Sequence, residues 1–324
     1  MTRDAVLSAL MAQEGRYLSG AELAKALSVS RTAVWKAIDQ LRTEGYPIES
    51  VTNRGYRLAP DADVLSEAMI RRYLRHDELR LRVYERIGST NTALKELAAA
   101  GEPAGLALVA AEQTAGRGRL GRSFYSPAGS GLYLSLLLRP GISAAESGRL
   151  TACAAVAVAE ALEDLSGKAT QIKWVNDVLI GGKKVCGILT EAALDCESGQ
   201  LQYAIIGIGI NIAEPAGGFP PELREIAGAV FEQAPPAAVR AKLAAAVLDR
   251  LADYDTQPDN AHCLEAYHVR SLVLGKAINI LRPGQPPIPA TAIGLEPDYA
   301  LLVRLDDGSV QRLSSGEVSI RVAP

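Results

Sequence analysis

Between residues 31 and 44 the apolar positions Val34, Ile38 and Leu41 recur at helical spacing, and Gly45 supplies the stop. Just ahead, Ser19 and Glu22 form an S-x-x-E capping box that opens a short helix through Leu27, and Ser28-Val29 makes a tight turn before the next N-cap, Ser30. This is helix-turn-helix spacing. Arg31, Thr32, Trp35 and Lys36 fall off the apolar stripe and are free to face a groove. Residues 46–51 and 56–58 read as two short strands around Thr52-Asn53-Arg54-Gly55, a turn with a basic tip at Arg54. Three helices and such a hairpin make a winged helix-turn-helix, with DNA as the expected partner. A small helical domain used for protein contacts is the competing reading, and the exposed basic residues at the start of the second helix together with the basic hairpin favour DNA.

Ala59-Pro60-Asp61-Ala62-Asp63 breaks the pattern as a linker. Beyond it, helical periodicity over 66–75, 91–100, 147–165, 238–254 and 264–270 alternates with apolar strands over 107–111, 132–138, 185–191 and 203–212. After Leu272 the texture shifts to short strands cut by Gly, Pro and Asp, at 277–281, 290–295, 301–305, 310–313 and 318–322, the pattern of a small β-barrel. The predicted organisation is an α+β multidomain chain: 1–62 winged helix-turn-helix, 63–271 mixed α/β catalytic domain, 272–324 barrel.

Composition narrows the class. The chain has 324 residues, 48% hydrophobic and 22% charged, the balance of a globular protein of two or three domains. No apolar run approaches the ~18 residues needed to span a bilayer, and the first sixteen residues do not have the build of a secretory signal, so a cytoplasmic location without membrane is expected. Cys153, Cys186, Cys196 and Cys263 are far apart, and His76, His262 and His268 show no ligand spacing, so neither a zinc site nor a disulfide framework is expected. The net charge of -3 argues against a chain coated in nucleic acid, yet residues 1–60 alone carry eight Lys/Arg against six acids.

The most informative segment is Gln113-Thr114-Ala115-Gly116-Arg117-Gly118-Arg119-Leu120-Gly121-Arg122. Glycines let a backbone approach a ligand closely, and each guanidinium offers a fork of donors suited to carboxylate or phosphate. Because strands flank it on both sides, it reads as an anion-binding loop within a fold rather than a disordered basic tail. A second group is Lys173-Trp174-Val175-Asn176-Asp177, followed by a Gly181-Gly182 turn and Lys183-Lys184, which brings Asp177 and the lysines together on a hairpin. In Gly207-Ile208-Gly209-Ile210-Asn211, glycines alternate within a strand, so something can pack close to one face, a ligand or simply a helix.

Taken in order, Gly88-Ser89-Thr90-Asn91, the 116–122 loop, 173–177, Lys184-Val185-Cys186-Gly187-Ile188-Leu189 and 207–211 resemble the motifs of the biotin protein ligase family. With the flanking domains, the resemblance covers essentially the whole chain and points to the bifunctional class that is both ligase and repressor. It implies a central class II synthetase-like biotin/lipoate ligase domain and an SH3-like C-terminal barrel. The implied reaction joins biotin to the α-phosphate of ATP as biotinyl-5′-AMP, then passes biotin to a lysine of biotin carboxyl carrier protein. By alignment, Ser89, Thr90, Asn91, Gln113, Arg117, Arg119, Lys184 and Gly187 hold biotin. Arg119, Arg122, Lys173, Asn176 and Asn211 hold the nucleotide, and Asp177 holds Mg²⁺. Lys184, Arg119 and Asp177 are the implied catalytic set, while Lys183 points to solvent.

The resemblance also implies a homodimer when biotinyl-AMP is bound, and operator DNA as the partner of Arg31, Thr32, Trp35, Lys36 and Arg54. Two departures stand out: Val175 occupies a position commonly proline in the family, and Leu120 one that is often basic. A lipoate or octanoate ligase shares the fold and the adenylate chemistry, but its R-R-x-S-G-G-G loop is absent and it lacks a winged helix. A ligand-sensing repressor without catalysis would not need Lys184, Arg117 and Arg119 together.

Overall fold

Serine caps set the N-terminal helices of this computed structural model, in which all residues except 1, 14, 60, 61, 196, 257–260, 283, 315 and 321–324 are described. After α1 (Thr2–Ala12), Ser19 Oγ accepts from Glu22 N and Ser19 N donates to Glu22, closing the capping box of α2 (Gly20–Ala26). Ser28 turns at φ 55°, and Ser30 Oγ then accepts from Ala33 N to start α3 (Arg31–Thr43). Val6, Leu7, Leu10, Leu23, Val34, Ile38 and Leu41 close a core among the three helices. The wing pairs β1 (Ile48–Val51) antiparallel with β2 (Gly55–Leu58). At its base Tyr56 and Leu18 exchange two backbone hydrogen bonds of 2.8 Å, and a Cβ on Gly55 would strike the Leu18 carbonyl.

The chain divides into two compact units, Met1–Arg72 with Pro236–Lys242, and Tyr73–Pro235 with Leu243–Pro324. Of the predicted linker, Pro60 and Asp61 lie outside the described residues, and the Asp63 carboxylate accepts from Arg240 N at 3.0 Å and Arg240 Nε at 2.7 Å. The helix expected over 66–75 is only α4 (Glu67–Arg71). Arg75 N and His76 N donate instead to the Asp249 carboxylate at 2.9 and 3.0 Å, an alternative to continuing the helical ladder.

The second unit is built on a seven-stranded sheet of β3 (Arg80–Tyr84), β4 (Leu106–Ala110), β5 (Gly131–Leu138), β6 (Gln171–Lys173), β7 (Asp177–Ile180), β8 (Lys183–Leu194) and β9 (Leu201–Asn211). Their order is β3-β4-β5-β9-β8-β7-β6, antiparallel except for the parallel β3/β4 pair. Strand alternation gives the sheet two uses. Ile205 packs with Leu94 and Ala98 of α5 (Thr90–Ala99), while Ile206 points the other way, toward Leu150 and Cys153 of α6 (Ser147–Ser166). The alanine-rich α6 is buried nearly all round, and α8 (Ala261–Arg270), which follows α7 (Val239–Thr256), packs on it.

Past residue 272, β10 (Ala277–Leu281), β11 (Ile288–Leu295), β12 (Leu301–Leu305), β13 (Val310–Leu313) and β14 (Glu317–Ile320) form an antiparallel sheet ordered β13-β12-β11-β10-β14. These are the strands expected of the small barrel; residues 321 and 322 of the last predicted strand lie outside the described residues. No helix among the described residues is long and apolar enough to cross a membrane.

Candidate active site and nucleic-acid interface

The sheet register makes the site. Tyr133, Gly209, Gly187 and Asp177 are cross-strand neighbours on β5, β9, β8 and β7, and Ser135, Gly207 and Leu189 form the adjacent row. The glycines leave a hollow on the face shared with α5. A Cβ on Gly207 would land on the Asn91 amide, one on Gly209 on the Phe124 ring, and one on Gly187 between Phe124 and the end of Lys184. Side chains that pack close to the strand therefore account for the alternating glycines.

Two clefts open over this hollow. The smaller, about 450 Å³, is lined by Ser89, Thr90, Asn91, Gln113, Arg117, Phe124 and Gly187, among others. The larger, about 1520 Å³, takes in Arg122, Lys173, Asp177 and Asn211, an apolar wall of Phe219, Leu223 and Ile226, and Leu281 and Val318 of the C-terminal sheet. Arg119, Asn176 and Lys184 line both. Gly118 and Phe124 are shared as well, so the two clefts meet at five residues.

Polar groups in the smaller cleft form one chain. Thr90 N and Oγ1 donate to Gln113 Oε1 at 2.9 and 3.0 Å, and Gln113 Nε2 donates to Ser126 Oγ at 3.1 Å. Buried Ser135 Oγ lies 2.7 Å from Thr90 Oγ1 and 2.6 Å from Asn91 Oδ1. Asn91 Nδ2 donates to Leu189 O at 3.3 Å and Glu191 Oε2 at 3.1 Å, so its amide is committed to the wall. Ser89 caps α5.

The cations differ in how they are held. Lys184 Nζ pairs with Asp177 Oδ1 at 2.7 Å, and Arg117 Nη1 sits 3.1 Å from Glu191 Oε1. Arg119 instead donates to neutral oxygens, Asn176 Oδ1 at 2.8 Å and Gly316 O at 3.1 Å. Asn176 Nδ2 donates to Ile188 O and Asp177 Oδ1, both at 3.0 Å, and the Trp174–Val175 peptide is cis. Leu120 tips the loop, exposed and at φ 54°.

Lys183 lines neither cleft and its side chain is 41% exposed, but it is tied down at its tip. Successive strand residues point to opposite faces, which parts it from Lys184, and its Nζ donates to Arg224 O at 3.0 Å and Glu225 O at 2.8 Å. Asn211 Nδ2 holds the same segment through Gly228 O at 3.0 Å. Burial pushes the Cys186 thiol up, so it is an apolar filler rather than a nucleophile; Cys153 and Cys263 are also buried free thiols. Burial, with the Asp177 carboxylate adding to it, pushes up the Tyr267 phenol.

In the N-terminal unit Arg31, Thr32, Trp35 and Lys36 are all exposed on α3, with Trp35 at 56%. Arg54 and Arg57 each place a guanidinium 4.6 Å from the Tyr17 ring centroid. The Tyr17 hydroxyl donates to Glu49 at 3.0 Å, which also takes Arg57 Nε at 2.7 Å. Tyr17, Phe124, Ser135 and Glu191 were not singled out from sequence; each acts through a contact distant in the chain.

A glycine-floored hollow with converging cations, a helix-turn-helix and a small C-terminal sheet define the class of biotin/lipoate-type protein ligases. Residues 83–211 match the Biotin/lipoate A/B protein ligase family, 2–57 an HTH domain and 273–321 the Biotin protein ligase C terminal domain. The bifunctional ligase/repressor BirA of Bacillus subtilis (strain 168) is 43% identical over 228 residues, covering 69% of this chain and 70% of its own. That of Escherichia coli (strain K12) is 36% identical over 208 residues, covering 64% and 63%. The structure of biotin protein ligase from Aquifex aeolicus in complex with biotin and ATP matches with TM-score 0.62 at 30% identity, over 75% of this chain and 99% of that one. The chain belongs to the family of bifunctional biotin protein ligases and repressors.

Proposed function

We propose that this chain is a cytoplasmic biotin protein ligase that makes biotinyl-5′-AMP from biotin and ATP, transfers biotin to a lysine of biotin carboxyl carrier protein, and represses transcription through its winged helix. The observation that carries the reading is the meeting of the two clefts at Lys184, Arg119 and Asn176. The smaller cleft suits biotin: its Thr90–Gln113–Ser126 chain offers donors and acceptors to a ureido ring, and Phe124 offers an apolar face. The larger suits ATP, with the base against Phe219, Leu223 and Ile226 and the phosphates toward Arg122, Lys173 and Asp177.

The first step joins two anions, carboxylate to α-phosphate, so it needs fixed positive charge where they meet. Lys184 and Arg119 stand there. The carboxylate oxygen bonds to phosphorus as pyrophosphate leaves, and in the second step a lysine amine attacks the acyl carbon and expels AMP. Asp177 is a single carboxylate already bonded to Asn176 and Lys184, which suits a Mg²⁺ that arrives on ATP and keeps most of its other ligands as phosphate and water. Such an ion would neutralise phosphate charge. The domain bounds 1–62, 63–271 and 272–324 assign these roles, with Arg31, Thr32, Trp35, Lys36 and Arg54 facing operator DNA. A homodimer formed when biotinyl-AMP is bound would set two winged helices against two half-sites.

Incubation with ATP, Mg²⁺ and either biotin or lipoate, followed by mass spectrometry, tests the reading. Biotinyl-AMP with biotin alone is the expected product. Lipoyl-AMP would make the chain a lipoate-type ligase, and no adenylate with either acid would leave a ligand-sensing repressor.

A further inference from the structure

Glu191 lies outside every motif that marks the family in this sequence, and it does not line the smaller cleft. It stands on β8 two residues past Leu189, on the face that carries Gly187 and Leu189. Its side chain is 18% exposed and its carboxylate has two kinds of partner. Arg117 Nη1 approaches Oε1 at 3.1 Å and Oε2 at 3.2 Å, reaching down from the 116–122 loop with a side chain 46% exposed. Asn91 Nδ2 donates to Oε2 at 3.1 Å from the floor.

A carboxylate only accepts hydrogen bonds. Asn91 must therefore turn its NH₂ toward Glu191 and Leu189 O, which leaves Oδ1 to accept from Ser135. With the Ser135 proton drawn to Asn91, it is withheld from its other neighbour, Thr90, whose own N–H and hydroxyl face Gln113 Oε1. Thr90 N–H can only donate, and it fixes Gln113 with Oε1 toward Thr90 and Nε2 toward Ser126. One partly buried charge thus favours the observed orientation of Asn91 and Ser135 at the floor of this wall, and holds the loop above it.

We propose that Glu191 is the positioning residue of the biotin pocket: it latches the 116–122 loop through Arg117 and holds, through Asn91 and Ser135, the floor on which Thr90 faces the ureido ring. The proposal rests on the reading that the smaller cleft holds biotin. Glu191→Gln keeps the shape but removes the charge that holds Arg117 and the Asn91 amide.

Calorimetric titration of biotin without ATP separates the two ideas. If the parent binds no biotin, the pocket reading fails. If the parent binds and folded Glu191→Gln binds equally well, Glu191 alone loses its role. The expected result is biotin affinity weaker by about 10-fold or more, the loss typical of a contact to a charged group, with the KM for biotin rising in step. The KM for ATP should stay within about twofold, as Glu191 does not line the larger cleft. Equal rises in both KM values together with a lowered Tm would mark a merely structural residue and overturn the proposal. Should the Gln variant not fold, Glu191→Asp draws the charge back by one methylene and is expected to bind biotin about three- to tenfold more weakly. Parent-like affinity in that variant would overturn the proposal equally.

Discussion

Arg119→Gly should turn a ligase that keeps its intermediate into one that sheds it. Arg119 stands where the two clefts meet, and its guanidinium rests on the neutral oxygens of Asn176 and Gly316 at 2.8 and 3.1 Å. No carboxylate among the described residues spends its charge, so it can be offered whole to the phosphate of biotinyl-AMP. A contact to a charged group contributes roughly 1.5–3 kcal/mol, and each 1.4 kcal/mol is a factor of ten, so loss of the side chain should speed escape of the adenylate ~10–100-fold. Glycine adds freedom to a loop that already holds Gly116, Gly118 and Gly121. Arg119→Ala separates the two effects and should show most of the leak. The escaped mixed anhydride still acylates amines, so albumin incubated with biotin, ATP and the variant should become labelled on a streptavidin blot, while the parent labels only its carrier protein. Equal, carrier-restricted labelling by parent and variant, with adenylate synthesis verified in both, would show that Arg119 does not retain the intermediate.

Lys184→Ala should lower the single-turnover rate of pyrophosphate release by ~10²–10³, because it removes a preorganised cation and leaves Asp177 facing the phosphates; near-parent rates would take Lys184 out of the chemistry. Lys183→Ala should act on ATP alone, raising its KM by about two- to tenfold as the carbonyls of Arg224 and Glu225 lose their partner, and an unchanged KM would show that the 219–228 wall stands without it. Deleting residues 1–60 should abolish a mobility shift with operator DNA while carrier biotinylation persists, and a truncated protein that still shifts the DNA would refute the domain assignment. His76 has both ring nitrogens on carboxylates, Asp253 at 2.8 Å and Glu78 at 2.7 Å, which raise its pKa above the ordinary value of about 6.5. Its stabilising effect should be full below about pH 6.5 and lost as pH rises through the higher folded-state value, so the Tm gap between parent and His76→Gln should shrink from acid to alkaline pH. An imidazole NMR titration midpoint at or below 6.5 would refute this.

The parts of the fold that sequence disclosed are those with a local cause. Ser19, Glu22 and Ser30 cap helices through neighbours three residues away, and the five C-terminal strands are punctuated by their own Gly, Pro and Asp turns. β3 was missed because Arg80-Leu81-Arg82-Val83-Tyr84 is short, charged on alternate positions and sits on a sheet edge. Ser135 is one hydroxyl inside the apolar run of β5, and only the register that sets it opposite Gly207 shows that it faces Asn91 and Thr90. Phe124 is a single aromatic after the loop, and its place against Gly209 and Gly187 comes from strands more than sixty residues on. Such contacts have no period to read.

Charge shows the same boundary more sharply. The motifs place Arg117, Arg119 and Lys184 together as three equivalent cations for two anionic substrates, and their pairing makes them unequal. Lys184 and Asp177, 2.7 Å apart and both less than a third exposed, attract with roughly 6 kcal/mol at an effective dielectric of about 20, before desolvation is deducted. An isolated biotin carboxylate cannot easily outbid that partner. A triphosphate brings Lys184 more negative charge, and a Mg²⁺ carried on it would find in Asp177 the carboxylate to hold it. Such an exchange would conserve charge pairing on both sides, and Lys184 would be released to bridge the reacting oxygens only when the nucleotide is present. Arg117 has no such substitute for Glu191 within the smaller cleft, which fits a latch, and Arg119, resting on neutral oxygens, is available to either anion at once. In Lys184→Ala, therefore, biotin binding without ATP should stay within about twofold of the parent. A loss of tenfold or more in that titration would show that Lys184 already serves the carboxylate before ATP arrives, and the exchange argument would fall.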